Sequence, residues 1–237
     1  MTALSRRSTY RPSLVRADYF VVRALGGFIE RALCDHVRPG MLVVDVGCGE
    51  QPWRPLVETL GARYLGADVR QNAAGSVVFR CAADALPLRH RSVGLVLCTE
   101  VVEHVPDPTR ALAELARVLR PEGLAVVTTP FLYPLHEEPW DFQRLTRYQL
   151  ARTAAAAGFT VEHLSTAGNE IEVLATLWDR LWSNAIPPGL ARTGALALLR
   201  PPANFAAWLI SGLAGRALPR RAYLSNLALL RAPARPA

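Results

Sequence analysis

The chain has 237 residues, of which 51% are hydrophobic and 20% are charged, and its formal net charge is +7. These proportions are typical of a globular protein with a sizeable core and exclude an intrinsically disordered chain. All 27 basic residues are arginine, which we attribute to the composition of the source genome rather than to a nucleic-acid partner. Much of the excess lies near the two ends, where we expect solvated tails, with contact to membrane headgroups or RNA as the alternative: Arg6, Arg7, Arg11, Arg16, Arg216, Arg220, Arg221, Arg231 and Arg235.

Cysteine usage and hydropathy favour a cytoplasmic location. The four cysteines form no C-x-x-C pair, which is typical of a reducing compartment. The first dozen residues are polar and Arg-rich, unlike a signal peptide, and no segment reaches the ~18 apolar residues of a membrane span.

Hydrophobic periodicity and breaker residues predict the elements in chain order. We expect a helix over 14–36, a strand over 41–46, a helix over 53–60, and strands over 63–67, 76–80 and 93–98. Next come a helix over 108–119, a strand over 124–129, a loop over 130–145, a helix from Thr146 to Gly158 and a strand over 159–164. We expect Asp107 to cap the first of these helices and Pro121-Glu122-Gly123 to end it. A Thr146–Gln149 capping box should begin the second helix. The chain closes with apolar helices over 170–218, broken by Pro187-Pro188 and Pro201-Pro202, and a strand over 222–230.

This alternation favours an α/β fold in which a doubly wound parallel sheet has helices on both faces. We expect a single domain over 1–237. Its parts are an N-terminal helical extension (1–40), a core (41–168), a helical insertion (170–218) and a last strand (222–230).

A glycine turn follows the first strand, in the order Asp45, then Gly47-Cys48-Gly49. Glycine lacks the Cβ that would hold a nucleoside away from the backbone, and such turns at the carboxyl ends of parallel strands bind cofactors. The third glycine of the dinucleotide fingerprint is replaced by Pro52, which weakens a NAD-linked interpretation, and no phosphate-binding Lys-Ser/Thr pair follows. The turn therefore predicts a nucleoside ligand with little phosphate, such as S-adenosylmethionine (SAM).

Two further carboxylates suit the other parts of such a ligand. Asp68 ends the second strand, 23 residues after Asp45, where it is placed to accept hydrogen bonds from ribose hydroxyls. Asp84 follows the third strand and suits the exocyclic amine of adenine, with Ala85 and Leu86 flanking the ring. The alternative for both aspartates is a capping role in a loop or helix.

Cys98, Thr99 and Glu100 end the fourth strand, which should face the methionine part of the ligand. Cys98 is a conceivable nucleophile, but a small residue at the edge of the core is the favoured interpretation. His104 is interpreted as structural or ligand-lining rather than as a base.

The loop after the fifth strand concentrates titratable and aromatic side chains: Tyr133, His136, Glu137, Glu138, Trp140, Asp141, Phe142 and Arg144. Such a mixture suits a partly dry substrate pocket. His136 is the best candidate for a general base because its pKa lies near neutral pH, with a polar surface role as the alternative. Adjacent loop residues rarely converge on one ion, so we expect no metal site.

Four segments together resemble the class I SAM-dependent methyltransferases, in particular the small bacterial enzymes with one compact methyltransferase domain: 43–54 (VVDVGCGEQPWR), 64–69 (YLGADV), 81–88 (CAADALPL) and 95–131. The resemblance implies a Rossmann-like seven-stranded sheet with the last strand antiparallel, and SAM as cofactor. It also implies that Asp45, Gly47 and Gly49 border the amino-acid part of SAM. Val93-Gly94 departs from the family, which usually has an aromatic–Asp pair there.

We therefore predict these cofactor-binding residues: Asp45, Gly47, Cys48, Gly49, Asp68, Val69, Asp84, Ala85, Leu86, Cys98 and Thr99. The expected reaction is in-line methyl transfer to an oxygen or nitrogen of a small-molecule acceptor. The apolar insertion favours an apolar or lipid-like acceptor, a peripheral contact with a membrane surface, or a dimer interface. An RNA methyltransferase, which lacks support from any basic run, and a non-catalytic SAM-binding subunit stay open as alternatives.

Overall fold

This computed structural model describes residues 11–215 and 217–234, which form seven strands and six helices. The strands are β1 (Leu42–Val46), β2 (Arg63–Asp68), β3 (Phe79–Arg80), β4 (Val93–Thr99), β5 (Leu119–Pro130), β6 (Thr160–Ala167) and β7 (Ser225–Arg231). The helices are α1 (Tyr19–His36), α2 (Arg54–Thr59), α3 (Pro108–Val118), α4 (Arg147–Ala156), α5 (Glu170–Ala185) and α6 (Leu190–Ala214), and a 3-10 turn spans Val102–His104. Four arginines of the predicted tails lie outside the described residues: Arg6, Arg7, Arg216 and Arg235.

The strands form one sheet in the order β3-β2-β1-β4-β5-β7-β6. The pairs from β3 to β5 are parallel, whereas β7 runs antiparallel to both β5 and β6. The predicted Rossmann-like sheet with an antiparallel last strand and an apolar helical insertion before it is confirmed. The strand order reverses between β1 and β4, and ligands of open α/β sheets bind at such a switch point.

The core lies on both faces of the sheet because its central strands are apolar in both directions. On β4, Val96 and Cys98 face one layer while Leu95 and Leu97 face the other. The first layer packs against α3 and α4, and the second packs against α1, α2 and α5. Burial on both faces explains why the central strands read as continuous apolar runs.

Two predicted helix caps are present. The Asp107 carboxylate accepts hydrogen bonds from the backbone N–H groups of Thr109 and Arg110 at the start of α3. At α4 the Thr146 hydroxyl accepts from the N–H of Gln149 at 3.2 Å. The Gln149 side chain, however, donates to Thr153 at 3.3 Å, so the capping box is one-sided.

Several predicted boundaries are wrong by a few residues. α1 begins at Tyr19 rather than 14, β3 covers only Phe79–Arg80 rather than 76–80, and β7 begins at Ser225 rather than 222. β5 begins at Leu119 rather than 124, because Leu119 pairs with Val93 and the intervening segment forms an irregularity in the ladder. Pro121-Glu122-Gly123 therefore lies inside β5, and α3 ends before it, at Val118.

The prediction for the second proline pair in the insertion is also wrong. Pro187-Pro188 separates α5 from α6 as expected, but Pro201 and Pro202 lie inside α6. A proline removes one backbone donor yet has a φ that fits a helix. Side-chain contacts on both sides hold α6 together here, since Arg200 pairs with Asp179 at 2.7 Å and Asn204 donates to the Leu14 carbonyl at 2.7 Å. Among the described residues, no helix is long and apolar enough to cross a membrane.

Candidate active site

The glycine turn after β1 has a conformation that its two glycines make accessible. Gly47 has a φ of +69°, and a Cβ there would stand 2.2 Å from Cγ2 of Val101. Gly49 has a φ of +47°, and a Cβ there would enter open space. The N–H groups of Gly47 and Cys48 both donate to the Ala67 carbonyl, at 2.8 and 3.1 Å, which fixes the turn against β2. The result is a rigid loop with bare backbone at Gly49.

A cavity of about 120 Å³ opens at this turn. Its lining includes five of the predicted cofactor-binding residues and three of their neighbours: Asp45, Gly47, Cys48, Gly49, Thr99, Glu50, Pro52 and Trp53. Bare backbone, a carboxyl group and an aromatic ring suit the amino-acid part of SAM, so the residues present fit this cofactor.

Asp45 is buried beside this cavity. The Tyr64 hydroxyl donates to its Oδ2 at 2.5 Å. Burial raises the pKa of Asp45 to about 7, an effect that the Tyr64 hydrogen bond opposes and the charge of Asp68 reinforces. The carboxyl group therefore carries a proton part of the time near neutral pH, and a nearby ammonium group would favour its ionised form.

Asp68 bridges the turn and the end of β2. Its Oδ2 accepts from the N–H of Gly49 at 2.9 Å and its Oδ1 accepts from the N–H of Arg70 at 3.0 Å. A carboxylate can accept about four hydrogen bonds, so capacity remains for ribose hydroxyls. Val69 is exposed next to it. The ribose role of Asp68 stays a prediction that this geometry permits.

The segment predicted to hold adenine is anchored to α3. The N–H of Leu86 donates to Oε1 of Glu114 at 2.7 Å, and Arg117 donates to the Leu86 carbonyl at 3.0 Å. Leu86 packs into the core, Ala85 is exposed, and the carboxylate of Asp84 lies 3.7 Å from Arg110. None of the predicted adenine contacts lines the cavity at the turn, and the adenine role stays a prediction.

Cys98 lies in the core of the sheet, fully buried. Burial raises the pKa of its thiol far above the ordinary value, so the thiol stays protonated. A protonated, inaccessible thiol is a poor nucleophile. The next residue, Thr99, is the one that reaches the cavity.

A second polar cluster lies beside the turn, at the carboxyl ends of β4 and β5. Its centre is His136, whose Nδ1 lies 3.2 Å from Oδ2 of Asp141, and whose backbone N–H donates to the same oxygen at 2.9 Å. Arg144 pairs with both oxygens of Asp141, and this pairing lowers the pKa of Asp141 to about 2. Asp141 is therefore a fixed anion beside the His136 ring, whose Nδ1–H donates to the Pro134 carbonyl at 3.3 Å. Burial lowers the pKa of His136 from its ordinary value, so its ring is mostly neutral at pH 7.

Glu103 is the residue of this cluster that the sequence interpretation missed. It is 1% exposed, and neither carboxylate oxygen has a hydrogen-bond partner in the described part of the chain. Burial raises the pKa of Glu103 well above its ordinary value, and the nearby charge of Glu100 raises it further. Its Oε1 lies 3.9 Å from Nε2 of His136 and 3.7 Å from Nε2 of His104. The one available signal was its place directly before His104.

The same three side chains offer a ligand set for a metal ion. One ligand atom each from Glu103, His104 and His136 lies within 4.8 Å of the others. The Nδ1–H of His104 donates to the Trp140 carbonyl at 2.8 Å, which leaves Nε2 as a lone-pair donor. Two imidazoles and one carboxylate suit several divalent transition metals. These three ligands come from two separate segments, unlike the adjacent loop residues discussed under the sequence. An activity assay therefore needs a control with a metal chelator.

The protein is thus a Rossmann-like α/β protein whose glycine turn lies at the switch point of its sheet, where ligands of such folds bind. A family model described as a methyltransferase domain matches residues 44–127. An uncharacterized methyltransferase of Mycolicibacterium paratuberculosis (strain ATCC BAA-968 / K-10) is 34% identical over 210 residues, which are 82% of this chain and 77% of that protein. An uncharacterized methyltransferase of Mycobacterium avium (strain 104) is 37% identical over 143 residues, which are 55% of this chain and 54% of that protein.

The chain thus spans about half the length of several curated relatives that it matches, 51% to 54%. Among solved structures, an S-adenosylmethionine dependent methyltransferase from Mesorhizobium loti has a TM-score of 0.56 and 18% identity, covering 92% of this chain and 100% of that chain. The chain belongs to the class I SAM-dependent methyltransferases, a family of enzymes whose cofactor is SAM.

Proposed function

We propose that the protein transfers the methyl group of SAM to an oxygen or nitrogen of a small, apolar acceptor, and that His136 is the base when the acceptor is a hydroxyl group. The observation that supports this most directly is the orientation of His136. Its Nδ1 lies 3.2 Å from Asp141 on one side, and its Nε2 faces the buried Glu103 on the other. SAM, when bound, supplies a methyl group on a positively charged sulfur.

In this mechanism the cluster holds and moves one proton. SAM would supply the methyl group and be left as S-adenosylhomocysteine, and the hydroxyl proton of the acceptor would pass to Nε2 of His136. The Pro134 carbonyl accepts the Nδ1–H of His136 at 3.3 Å and so keeps that proton away from the acceptor, while the charge of Asp141 stabilises the imidazolium that forms. Because Arg144 holds Asp141 ionised, this role does not change across the neutral pH range.

Aromatic rings pack against His136, whose side chain is 30% exposed. The rings of Tyr133 and His104 lie edge-on to that of His136, with centroids 5.5 and 4.9 Å away. A low-dielectric wall strengthens the interaction between Asp141 and the imidazolium. It also suits an acceptor with an apolar body, such as a phenol, better than a nucleic acid.

His136→Ala tests the base. We expect its methyl-transfer rate from radiolabelled SAM to a panel of phenols and amines to fall by roughly 10²-fold or more for hydroxyl acceptors. Its SAM affinity by calorimetry should be unchanged. His163→Ala, in β6, is the matched control and should leave both quantities unchanged. An unaltered rate in His136→Ala with a hydroxyl acceptor would remove the base assignment.

The pH profile and a chelator separate proton transfer from metal coordination. For the base, the rate should rise as His136 loses its proton, with a midpoint below its ordinary pKa because burial lowers it. Added EDTA should have no effect. Loss of activity with EDTA that Mn²⁺ or Zn²⁺ restores would instead make His136 a metal ligand together with Glu103 and His104.

A further inference from the structure

The pair of helices α5 and α6 has a polarity opposite to that of ordinary surface helices. Polar side chains of α5 lie buried toward the body of the protein, namely Glu172, Thr176 and Ser183. On α6 the buried polar residues are Asn204 and Ser211. Helices that face water normally bury the apolar side and expose the polar side.

The buried polar groups satisfy one another. The Ser211 hydroxyl donates to Oε1 of Glu172 at 2.9 Å and accepts from the Asn169 amide at 2.9 Å. Arg23 pairs with the same Glu172 oxygen at 2.6 Å. Since each of these contacts joins α6 or α1 to the N-terminal end of α5, the polar network fixes which faces of the two helices point outward.

The outward faces are apolar and contain three tryptophans. The exposed large hydrophobic residues of the two helices are Leu174, Leu177, Trp178, Leu181, Trp182, Leu198, Leu199, Phe205, Trp208, Leu209, Ile210 and Leu213. Trp178 is 61% exposed, and Leu198 and Leu213 are 78% and 77% exposed. Soluble monomers rarely expose so much contiguous apolar surface, and Trp is the residue favoured where apolar and wet regions meet.

The charge of this segment has one sign. Residues 186–222 contain no aspartate or glutamate and five arginines, of which Arg200 pairs with Asp179 of α5 and the others are Arg192, Arg216, Arg220 and Arg221. Arg192 and Arg200 also line a cavity of about 360 Å³ beside α6. A second copy of the chain would bring like charges together across such an interface, whereas an anionic surface would attract them.

We propose that the outward faces of α5 and α6 insert into the headgroup region of a lipid bilayer that contains anionic lipids. The helices lie in the interface, because no described helix is able to span a membrane. Tryptophan and leucine side chains enter the acyl boundary, and the exposed Arg220 and Arg221 contact lipid phosphates.

This surface is connected to the acceptor site. Arg180 of α5 donates a hydrogen bond to the Tyr133 hydroxyl, and its guanidinium lies 5.2 Å from the centre of the Tyr133 ring. Tyr133 in turn packs against His136. Insertion of α5 therefore holds the His136 loop at the bilayer surface, where a lipid-like acceptor would enter. Membrane binding itself does not depend on the proposed methyl transfer.

Vesicle sedimentation tests the proposal with the full chain. The wild type should pellet with vesicles of phosphatidylcholine and phosphatidylglycerol, and more weakly with phosphatidylcholine alone. The double variant Trp178→Ser/Trp182→Ser should bind the mixed vesicles roughly tenfold more weakly or worse. Arg220→Gln/Arg221→Gln should lose roughly tenfold on mixed vesicles only.

The control is Val78→Ser/Tyr148→Ser, which changes two exposed residues outside the helix pair and should bind as the wild type does. The double variant Leu209→Ser/Leu213→Ser makes the same test on α6, in case the α5 variant does not fold. Thermal melting followed by circular dichroism shows whether each variant is folded. Three results overturn the proposal: no sedimentation of the wild type, equal losses in tryptophan and control variants, or a lipid-free dimer that the tryptophan variant dissociates into monomers without any vesicle binding.

Discussion

The glycine turn after β1 and the carboxyl–imidazole cluster after β4 and β5 lie side by side, yet their polar groups are satisfied differently. In the turn, Asp45 accepts from Tyr64 and Asp68 accepts from two backbone N–H groups. In the cluster, both oxygens of Glu103 are buried without a hydrogen bond in the described part of the chain. The turn is therefore held rigid by its hydrogen bonds. In the cluster, by contrast, burial of the unpaired Glu103 carboxyl is unfavourable, and a proton or a bound ligand would reduce that cost.

The largest effect is expected at the turn, from Gly47→Ala. The new Cβ would meet Val101 at 2.2 Å at a positive φ. We expect a loss of roughly 2–4 kcal/mol in the free energy of unfolding, and SAM binding at least tenfold weaker.

Gly75→Ala is the matched control, because Gly75 has a φ of +64° and open space around its Cβ position. It should lose only about 1 kcal/mol and keep its SAM affinity. Equal losses at the two glycines would mean that backbone conformation alone, and not the close approach of Val101, makes the turn rigid.

A smaller effect of opposite sign is expected in the cluster, from Glu103→Gln. Folding raises the pKa of the Glu103 carboxyl. The contribution of this group to the free energy of unfolding is therefore fully present below the ordinary carboxyl pKa and is lost as the pH rises through the pKa of the folded state. The variant should therefore be more stable than the wild type by roughly 1–3 kcal/mol at about pH 8, and by less at about pH 5, in urea unfolding. Destabilisation at both pH values would show that Glu103 is an essential structural partner.

The smallest effect concerns the pH dependence of SAM binding at Asp45. Its pKa of about 7 means that the free protein must release a proton to pair with a cationic ligand. SAM affinity should therefore rise roughly tenfold between about pH 6 and about pH 8 by calorimetry. Asp45→Asn should bind SAM more weakly and with a flat profile; a slope retained in this variant would assign the proton to another group.

Those parts of the molecule that depend on local chemistry could be predicted from the sequence. The glycine turn, the Asp107 cap and the alternation of strands and helices follow from side-chain size, hydrogen-bonding capacity and apolar periodicity. β5 begins earlier than predicted because Leu119 pairs with Val93. This is a long-range contact, which the local breaker signal of Pro121 does not reveal.

The cluster and the helix pair were harder to predict for the same reason. More than thirty positions separate Glu103 from His136, and only the adjacency of β4 and β5 brings them together. In α6 the apolar composition was visible, but a helix with apolar residues on its outer face has the same composition as a buried one. Its orientation depends on contacts of Asn204 and Ser211 with distant segments.

Calorimetric titration of the wild type with SAM, with its demethylated product S-adenosylhomocysteine and with NAD tests whether the glycine turn is a SAM site. We expect micromolar binding of the first two and none of NAD, because Pro52 replaces the third glycine of the dinucleotide fingerprint. Binding of NAD, or no binding of SAM or S-adenosylhomocysteine, would contradict the assignment of the glycine turn as a SAM site.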